Sequence, residues 1–140
     1  MFTKEELQKV KGVGQKTAER IETFLEENNT ENVYELLEVH KVGDYLLNNI
    51  MARFPVMEME FDLKELEEVE KVEELHLVGD MNDWQPADKR YSFINEKDSI
   101  WFGAFRLEEG TEYKVLYNSE NWEEDKCLSA EHNSNFKVGY

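Results

Sequence analysis

The first third of the chain has apolar residues at helical spacing, with one interruption by a pair of glycines. Thr3 and Glu6 have the spacing of a capping box, so a helix is predicted to begin at Lys4. A second amphipathic pattern follows Gly12-Val13-Gly14 and ends near residues 28–30. The pattern therefore predicts a short helix, a tight hairpin and a longer helix.

The same layout then recurs. Leu, Val, Val, Gly and Ile of residues 7–21 are found again, in the same order, 29 positions later in residues 36–50. A repeat of this kind predicts two helix–hairpin–helix copies that pack against each other. Asp44 is placed to cap the last helix, and Pro55 is expected to end the helical region.

After Pro55 the apolar period changes to two. Met57 to Leu63 alternate with acidic residues, as in a half-buried strand. Residues 64–74 are compatible with a helical turn or with an irregular solvated connection, and the connection is preferred because strands flank this segment closely. Further strands are predicted at residues 75–79, 91–94, 100–107, 113–117 and 135–138. Short strands separated by close turns predict an antiparallel β-sandwich. We therefore expect an α+β chain of two domains, residues 1–54 and residues 55–140.

Charge narrows the choice of partners. The chain has 32 acidic and 16 basic residues, and its net charge is −16. Residues 1–54 contain 10 acids and 7 bases, whereas residues 55–140 contain 22 acids and 9 bases. This excess of acid opposes binding to DNA or to an anionic membrane except at a locally basic surface.

The reactive residue types are sparse. The single cysteine, Cys127, favours a reducing compartment, so a cytoplasmic location is predicted. No apolar run reaches the length of a membrane span, and no membrane partner is expected. His40, His76 and His132 lack a ligand-like spacing, so no metal site and no cofactor is predicted. No serine, histidine and cysteine pattern has nucleophile spacing, and the chain is predicted not to be an enzyme on its own.

Gly12-Val13-Gly14, followed by Lys16 and Ala18, resembles the helix-hairpin-helix family over about residues 3–52. In that family, hairpin amides and the N-terminus of the second helix bind a DNA phosphate. The resemblance implies that Gly12, Gly14 and Lys16 contact phosphate, with Lys11 nearby.

The second copy departs from this pattern because Lys41 replaces the first glycine. A role in docking a protein partner and a purely structural role, in which Val13 and Val42 pack a common core, stay open beside DNA binding.

Residues 78–84, 107–115 and 121–122 resemble the early-set module that binds glycogen and starch. Such modules occur in AMP-activated protein kinase β subunits and at the N-termini of isoamylase-type, branching and debranching enzymes. The resemblance covers about residues 56–140 and implies an immunoglobulin-like β-sandwich.

The resemblance also implies a carbohydrate site. Trp84 and Trp122 would stack on glucose faces, while Lys114 and Asn135, with Asn133 as the next choice, would hydrogen-bond hydroxyl groups. Trp101, in contrast, is predicted to be a core residue.

The predicted function is non-catalytic α-glucan binding, or association with a glucan enzyme, with the helical domain as an adaptor for a protein partner. The alternatives are an acidic interaction or regulatory scaffold that binds no sugar, and DNA binding through the first hairpin.

Overall fold

Helices fill the N-terminal part of the chain in the computed structural model, which describes residues 2–140. Residue 1, the first of the predicted helical domain, lies outside the described residues. The helices are α1 (Lys4–Gln8), α2 (Gln15–Asn28), a 3₁₀ helix (Val33–Glu38) and α3 (Asp44–Arg53).

The predicted capping box is present at the start of α1. Thr3 Oγ1 accepts from the Glu6 N–H at 3.1 Å, and the Glu6 carboxylate accepts from the Thr3 N–H at 3.1 Å. α2 ends at Asn29, whose φ of 47° lies in the left-handed region that closes many helices. Asp44 does not cap α3, because Gly43 is the N-cap and Asp44 is the first helical residue, where its charge faces the positive end of the helix dipole.

The two hairpins have the same backbone geometry. The Val13 N–H donates to the Val10 carbonyl at 3.1 Å, and the Val42 N–H donates to the Val39 carbonyl at 3.0 Å. Gly12 has a φ of 90°, and Lys41, at the equivalent place, has a φ of 69°. The second hairpin therefore keeps the left-handed turn without the glycine that usually provides it.

One apolar cluster holds the helices together. It comprises Phe2, Leu7, Val10, Val13, Ala18, Ile21, Leu25, Val33, Leu36, Val39, Val42, Leu47 and Ile50, together with Ala104 from the β region. Both hairpin valines are thus core residues.

The rest of the chain forms two antiparallel sheets. Its elements are β1 (Val56–Asp62), α4 (Lys64–Glu67), β2 (Leu75–Gly79), β3 (Ile94–Lys97), β4 (Ile100–Arg106), β5 (Glu112–Tyr117), β6 (Cys127–Leu128) and β7 (Phe136–Lys137). One sheet has the order β1-β4-β3; the other has the order β2-β5-β6, with β7 also paired to β5. Helices followed by antiparallel sheets confirm the α+β class.

The strand predicted at residues 91–94 divides between the two sheets. The Leu77 N–H donates to the Tyr91 carbonyl at 3.0 Å, and the Phe93 N–H donates to the Leu75 carbonyl at 2.8 Å, so this part of the chain lies beside β2. The chain then crosses to the other sheet as β3. Both sheets contribute to a second core cluster, which includes Trp101, as predicted.

Asn32 joins the helical part to the sheets. Its fully buried side chain donates from Nδ2 to the Ser92 carbonyl at 2.9 Å. Its Oδ1 accepts from the Ala104 N–H at 3.1 Å and from the Tyr34 N–H at 3.2 Å. The Glu31 N–H adds a bond of 2.7 Å to the Arg90 carbonyl. Buried hydrogen bonds therefore connect the two parts.

Candidate functional site

Trp84 lies at the end of a tight turn that follows β2. The Trp84 N–H donates to the Gly79 carbonyl at 2.9 Å. A Cβ on Gly79 would lie 2.3 Å from the Glu112 carbonyl oxygen, so the turn needs glycine there. Asp83 and Trp84 both have left-handed backbones, with φ of 55° and 56°. A bulky residue is uncommon in this region, and such strain is concentrated at functional sites.

Trp122 extends from the loop between β5 and β6 and is 39 % exposed. Its Nε1–H points towards the Trp84 carbonyl oxygen at 3.4 Å, while the Trp84 Nε1–H donates to the Asp80 carboxylate at 3.1 Å. The second oxygen of Asp80 accepts from the Glu112 N–H at 2.8 Å. Both indole N–H groups thus bond to the protein, so a ligand would have to contact the rings themselves.

The two indoles are neighbours that are tilted against each other. Their ring centroids are 6.2 Å apart, and the ring planes meet at 42°. A sugar ring held between two indoles would need about 7–8 Å, since each carbon–carbon contact takes about 3.5–4.0 Å. The indoles therefore cannot enclose a sugar between them, and they present a bent platform instead.

The polar residues predicted for the same site lie beside this platform. A cavity of about 340 Å³ is lined by Trp84, Lys114, Trp122 and Asn135. Asn133 borders it, since its Oδ1 is 3.4 Å from the Lys114 Nζ. The structure thus brings the five predicted carbohydrate-site residues together. His132 and Asn133 also have left-handed backbones, with φ of 58° and 61°.

Two of the carboxylates near Trp122 bond to neighbouring side chains. Glu120 binds the Lys89 ammonium at 2.7 Å, and this hydrogen bond is the main cause that lowers the pKa of Glu120. Glu124 bonds to the Asn121 amide at 3.0 Å. In the part of the chain that the structure describes, Glu123 and Asp125 form no ion pair within 4.0 Å. The ion pair with Lys89 thus offsets the negative charge of Glu120 beside the ring.

The first hairpin exposes the residues predicted to contact phosphate: Lys11, Gly12, Gly14 and Lys16. Gly14 is the N-cap of α2, and as a glycine it makes no side-chain capping bond. Because the amides of a first helical turn lack partners within the helix, they are available to an anion.

Glu6, Glu19 and Glu22, which lie around the first hairpin, make contacts within the fold. Glu6 binds the Arg106 guanidinium at 2.6 Å, and Glu19 binds the Lys4 ammonium at 2.9 Å. Glu22 accepts from the Lys4 N–H at 2.8 Å. These contacts reduce the repulsion that the three carboxylates would exert on an anion at the hairpin.

Residues 3–21 match the helix-hairpin-helix motif. The match covers α1, the first hairpin and the first half of α2, and it stops before the second copy. No curated protein and no solved structure matches the chain.

A further cavity lies beside the matched motif, between α2 and the second hairpin. Its volume is about 630 Å³, with Lys16, Arg20, Phe24 and His40 among its lining residues. Glu19, Glu27 and Glu38 also line it, so its charge is mixed.

Other site chemistry is limited. Within residues 2–140, no group of three or more His, Cys, Asp or Glu side chains could hold a metal ion. No helix in this range is long and apolar enough to cross a membrane. His76 is buried below the Trp84 turn, where Nε2 bonds to the Pro86 carbonyl at 2.7 Å and burial lowers its pKa.

Asp80 and Lys89 are the site residues that the sequence does not reveal. The four-residue spacing of Asp80 and Trp84 is a weak signal of contact outside a helix. Lys89 carries no signal, because its carboxylate partners Glu74 and Glu120 are distant in sequence.

Proposed function

We propose that the chain is a non-catalytic module that binds an α-glucan on the platform of Trp84 and Trp122. The observation that carries this proposal is the convergence of residues from four separate segments on one cavity of about 340 Å³. This volume is within the range of about 300–1,000 Å³ that ligand pockets occupy. Two antiparallel sheets with a common core are also what an immunoglobulin-like early-set sandwich requires.

The chemistry of the cleft fits a bent oligosaccharide. The C–H-rich face of a pyranose packs on an aromatic face, and two rings tilted by 42° offer such faces to successive sugars of a curved chain. Lys114 donates hydrogen bonds, and Asn135 can both donate and accept, as paired recognition of sugar hydroxyls requires. A flat β-linked glucan matches the tilt less well.

Affinity electrophoresis in gels with and without glycogen tests the proposal. The wild-type chain is expected to be retarded by glycogen, and Trp122→Ala is expected to lose most of this retardation. Tyr45→Ala is the matched control, because Tyr45 is another exposed aromatic, 62 % accessible, on α3. Equal mobility of the wild-type chain in both gels would contradict glucan binding.

DNA binding by the first hairpin is the second candidate function. It is supported by the motif match at residues 3–21, by the glycine N-cap of α2 and by the exposed Lys11 and Lys16. We expect weak, salt-sensitive retardation of duplex DNA in a mobility-shift assay, since the affinity would come from few cationic contacts.

Lys16→Glu should abolish this shift. Lys97→Glu, on β3, makes the same charge change outside the helical part and should have a smaller effect. If both variants weaken binding equally, the net charge of the chain controls it and the hairpin is not the binding site.

A further inference from the structure

One lysine connects the two loops that carry the indoles. Lys89 follows Trp84 by five positions, and Glu120 precedes Trp122 by two. The Lys89 Nζ lies 2.7 Å from Glu120 Oε1 and 2.9 Å from Glu74 Oε2, and it is 3.0 Å from Glu74 Oε1. Its ammonium thus links the Trp84 loop, the Trp122 loop and the residue just before β2.

The backbone that carries Lys89 is fixed by the helical part. The Lys89 carbonyl accepts from Ser92 Oγ at 2.5 Å, and the Ser92 carbonyl accepts from the buried Asn32 amide at 2.9 Å. The Arg90 carbonyl accepts from the Glu31 N–H at 2.7 Å. Since these bonds fix the backbone of residues 89–92 against the helical part, the Lys89 side chain extends from a fixed position.

The Trp122 loop has fewer anchors on its side facing Trp84. Asn118, at its base, accepts from the Glu73 and Glu74 amides, and Lys126, at its far end, binds Glu70 at 2.9 Å. Between these points the contacts towards Trp84 are the Glu120–Lys89 ion pair and the long Trp122 bond of 3.4 Å. The hydrogen bonds to Glu120 and to Glu74 raise the pKa of Lys89, which agrees with an ammonium shared by two carboxylates.

We propose that Lys89 is a positioning residue that sets the distance and tilt of Trp84 and Trp122. It can do so because hydrogen bonds from the helical part fix the backbone of residues 89–92. The lysine itself does not line the cavity. Its effect on ligand affinity rests on the proposed glucan function, whereas its effect on the indole pair does not. The helical part would thereby support the cleft, in addition to any partner that it recruits.

Circular dichroism of the sugar-free chain tests the positioning directly. Two indoles at 6.2 Å couple their electronic transitions and give a paired signal in the far ultraviolet, which Trp122→Phe should remove. Lys89→Met keeps most of the side-chain stem and removes the charge, and we expect it to reduce the paired signal at least two-fold. Lys89→Arg should retain the signal, since a guanidinium can also bridge two carboxylates. Lys97→Met is the charge-matched control.

The affinity for maltoheptaose provides the second measurement. We expect Lys89→Met to bind about three-fold more weakly than the wild-type chain and Lys89→Arg to bind within two-fold of it. Glu120→Gln removes the same ion pair and keeps the volume of the side chain, so it should show the same loss. It replaces Lys89→Met as the test if Lys89→Met folds poorly.

An unchanged paired signal in both Lys89→Met and Glu120→Gln would overturn the proposal, as would an equal loss in Lys97→Met. If the signal falls as expected while the wild-type chain binds no maltoheptaose, the positioning role stands and the glucan function fails.

Discussion

Replacement of Trp84 by glycine and by alanine separates the role of the ring from the strain of the backbone. Trp84 has a φ of 56°. A residue with a Cβ loses about 1–2 kcal/mol in the left-handed region, which glycine does not lose. Glycine is also more flexible in the unfolded chain, and this offsets about 0.4–1 kcal/mol of its advantage over alanine. Trp84→Gly should therefore be about 0.5–1 kcal/mol more stable than Trp84→Ala.

Both variants lose the same ring contacts. The contact between the two indoles is worth about 0.5–1.5 kcal/mol, and the indole hydrogen bond to Asp80 is worth about as much. Trp84→Ala should therefore be about 1–3 kcal/mol less stable than the wild-type chain. Neither variant should bind glucan.

Urea unfolding followed by far-ultraviolet circular dichroism measures these differences without relying on the removed fluorophore. Exposed Glu68, whose φ is −67°, provides the control, because there the glycine variant should be less stable than the alanine variant. A Trp84→Gly variant that is less stable than Trp84→Ala would contradict backbone strain at this position. A loss above about 4 kcal/mol in Trp84→Ala would instead identify the ring as part of the core.

Three further measurements test the fold around the site. Asn32→Ala removes the partners of one buried and two partly buried backbone groups, and it should cost about 3 kcal/mol in urea unfolding. Asn49→Ala, which loses one exposed bond, should cost under about 1 kcal/mol, and equal losses would contradict the buried junction. Arg106 lowers the pKa of Glu6 to about 2, so the pair stabilises the fold above pH 4.5 and loses this effect as the pH falls towards 2. Because the pair is about 30 % exposed, Glu6→Gln should cost only about 1 kcal/mol at pH 7, and a difference that persists at pH 2 would exclude the ion pair as its cause. Burial lowers the pKa of His76, so the unfolded chain takes up a proton first and stability should fall as the pH drops below about 6.5. His76→Gln should make the urea midpoint depend less on pH between pH 7 and pH 5, and an unchanged pH dependence would refute this.

Local sequence signals predict the local structure well. The Thr3 and Glu6 spacing predicts the start of α1, because both capping partners lie within one turn. The prediction that Asp44 caps α3 is wrong. Gly43 has the extended backbone of an N-cap, and Asp44 lies one position later, inside the helix. The choice between Gly43 and Asp44 depends on one residue of register, which propensity does not resolve.

Long-range contacts could not be predicted in this way. Asn32 meets Ser92 and Ala104 across 60 and 72 residues, and nothing in its local pattern distinguishes it from a turn residue. The pattern of residues 91–94 predicts a single strand, whereas the chain changes sheet after Phe93. This change depends on the hydrogen-bond partners of each residue, which polarity does not reveal.

The sequence predicts which residues form the candidate site but not how they are arranged. The resemblance predicts that Trp84, Lys114 and Trp122 meet, and they line one cavity. The positive φ of Trp84 could not be predicted, because tryptophan is rarely found there. The ion pair between Lys89 and Glu120 could not be predicted either, because the two residues are 31 positions apart in the sequence.

The indole resonances of the chain offer the most direct test of the glucan-binding proposal. The three tryptophans, Trp84, Trp101 and Trp122, each give one Nε1–H signal in a ¹H–¹⁵N correlation spectrum. On titration with maltoheptaose, the signals of Trp84 and Trp122 should shift together along one binding curve, while that of Trp101, only 5 % exposed in the core, should stay in place. If neither platform signal moves at millimolar sugar, or if Trp101 moves as much as they do, the cleft is not a glucan-binding site.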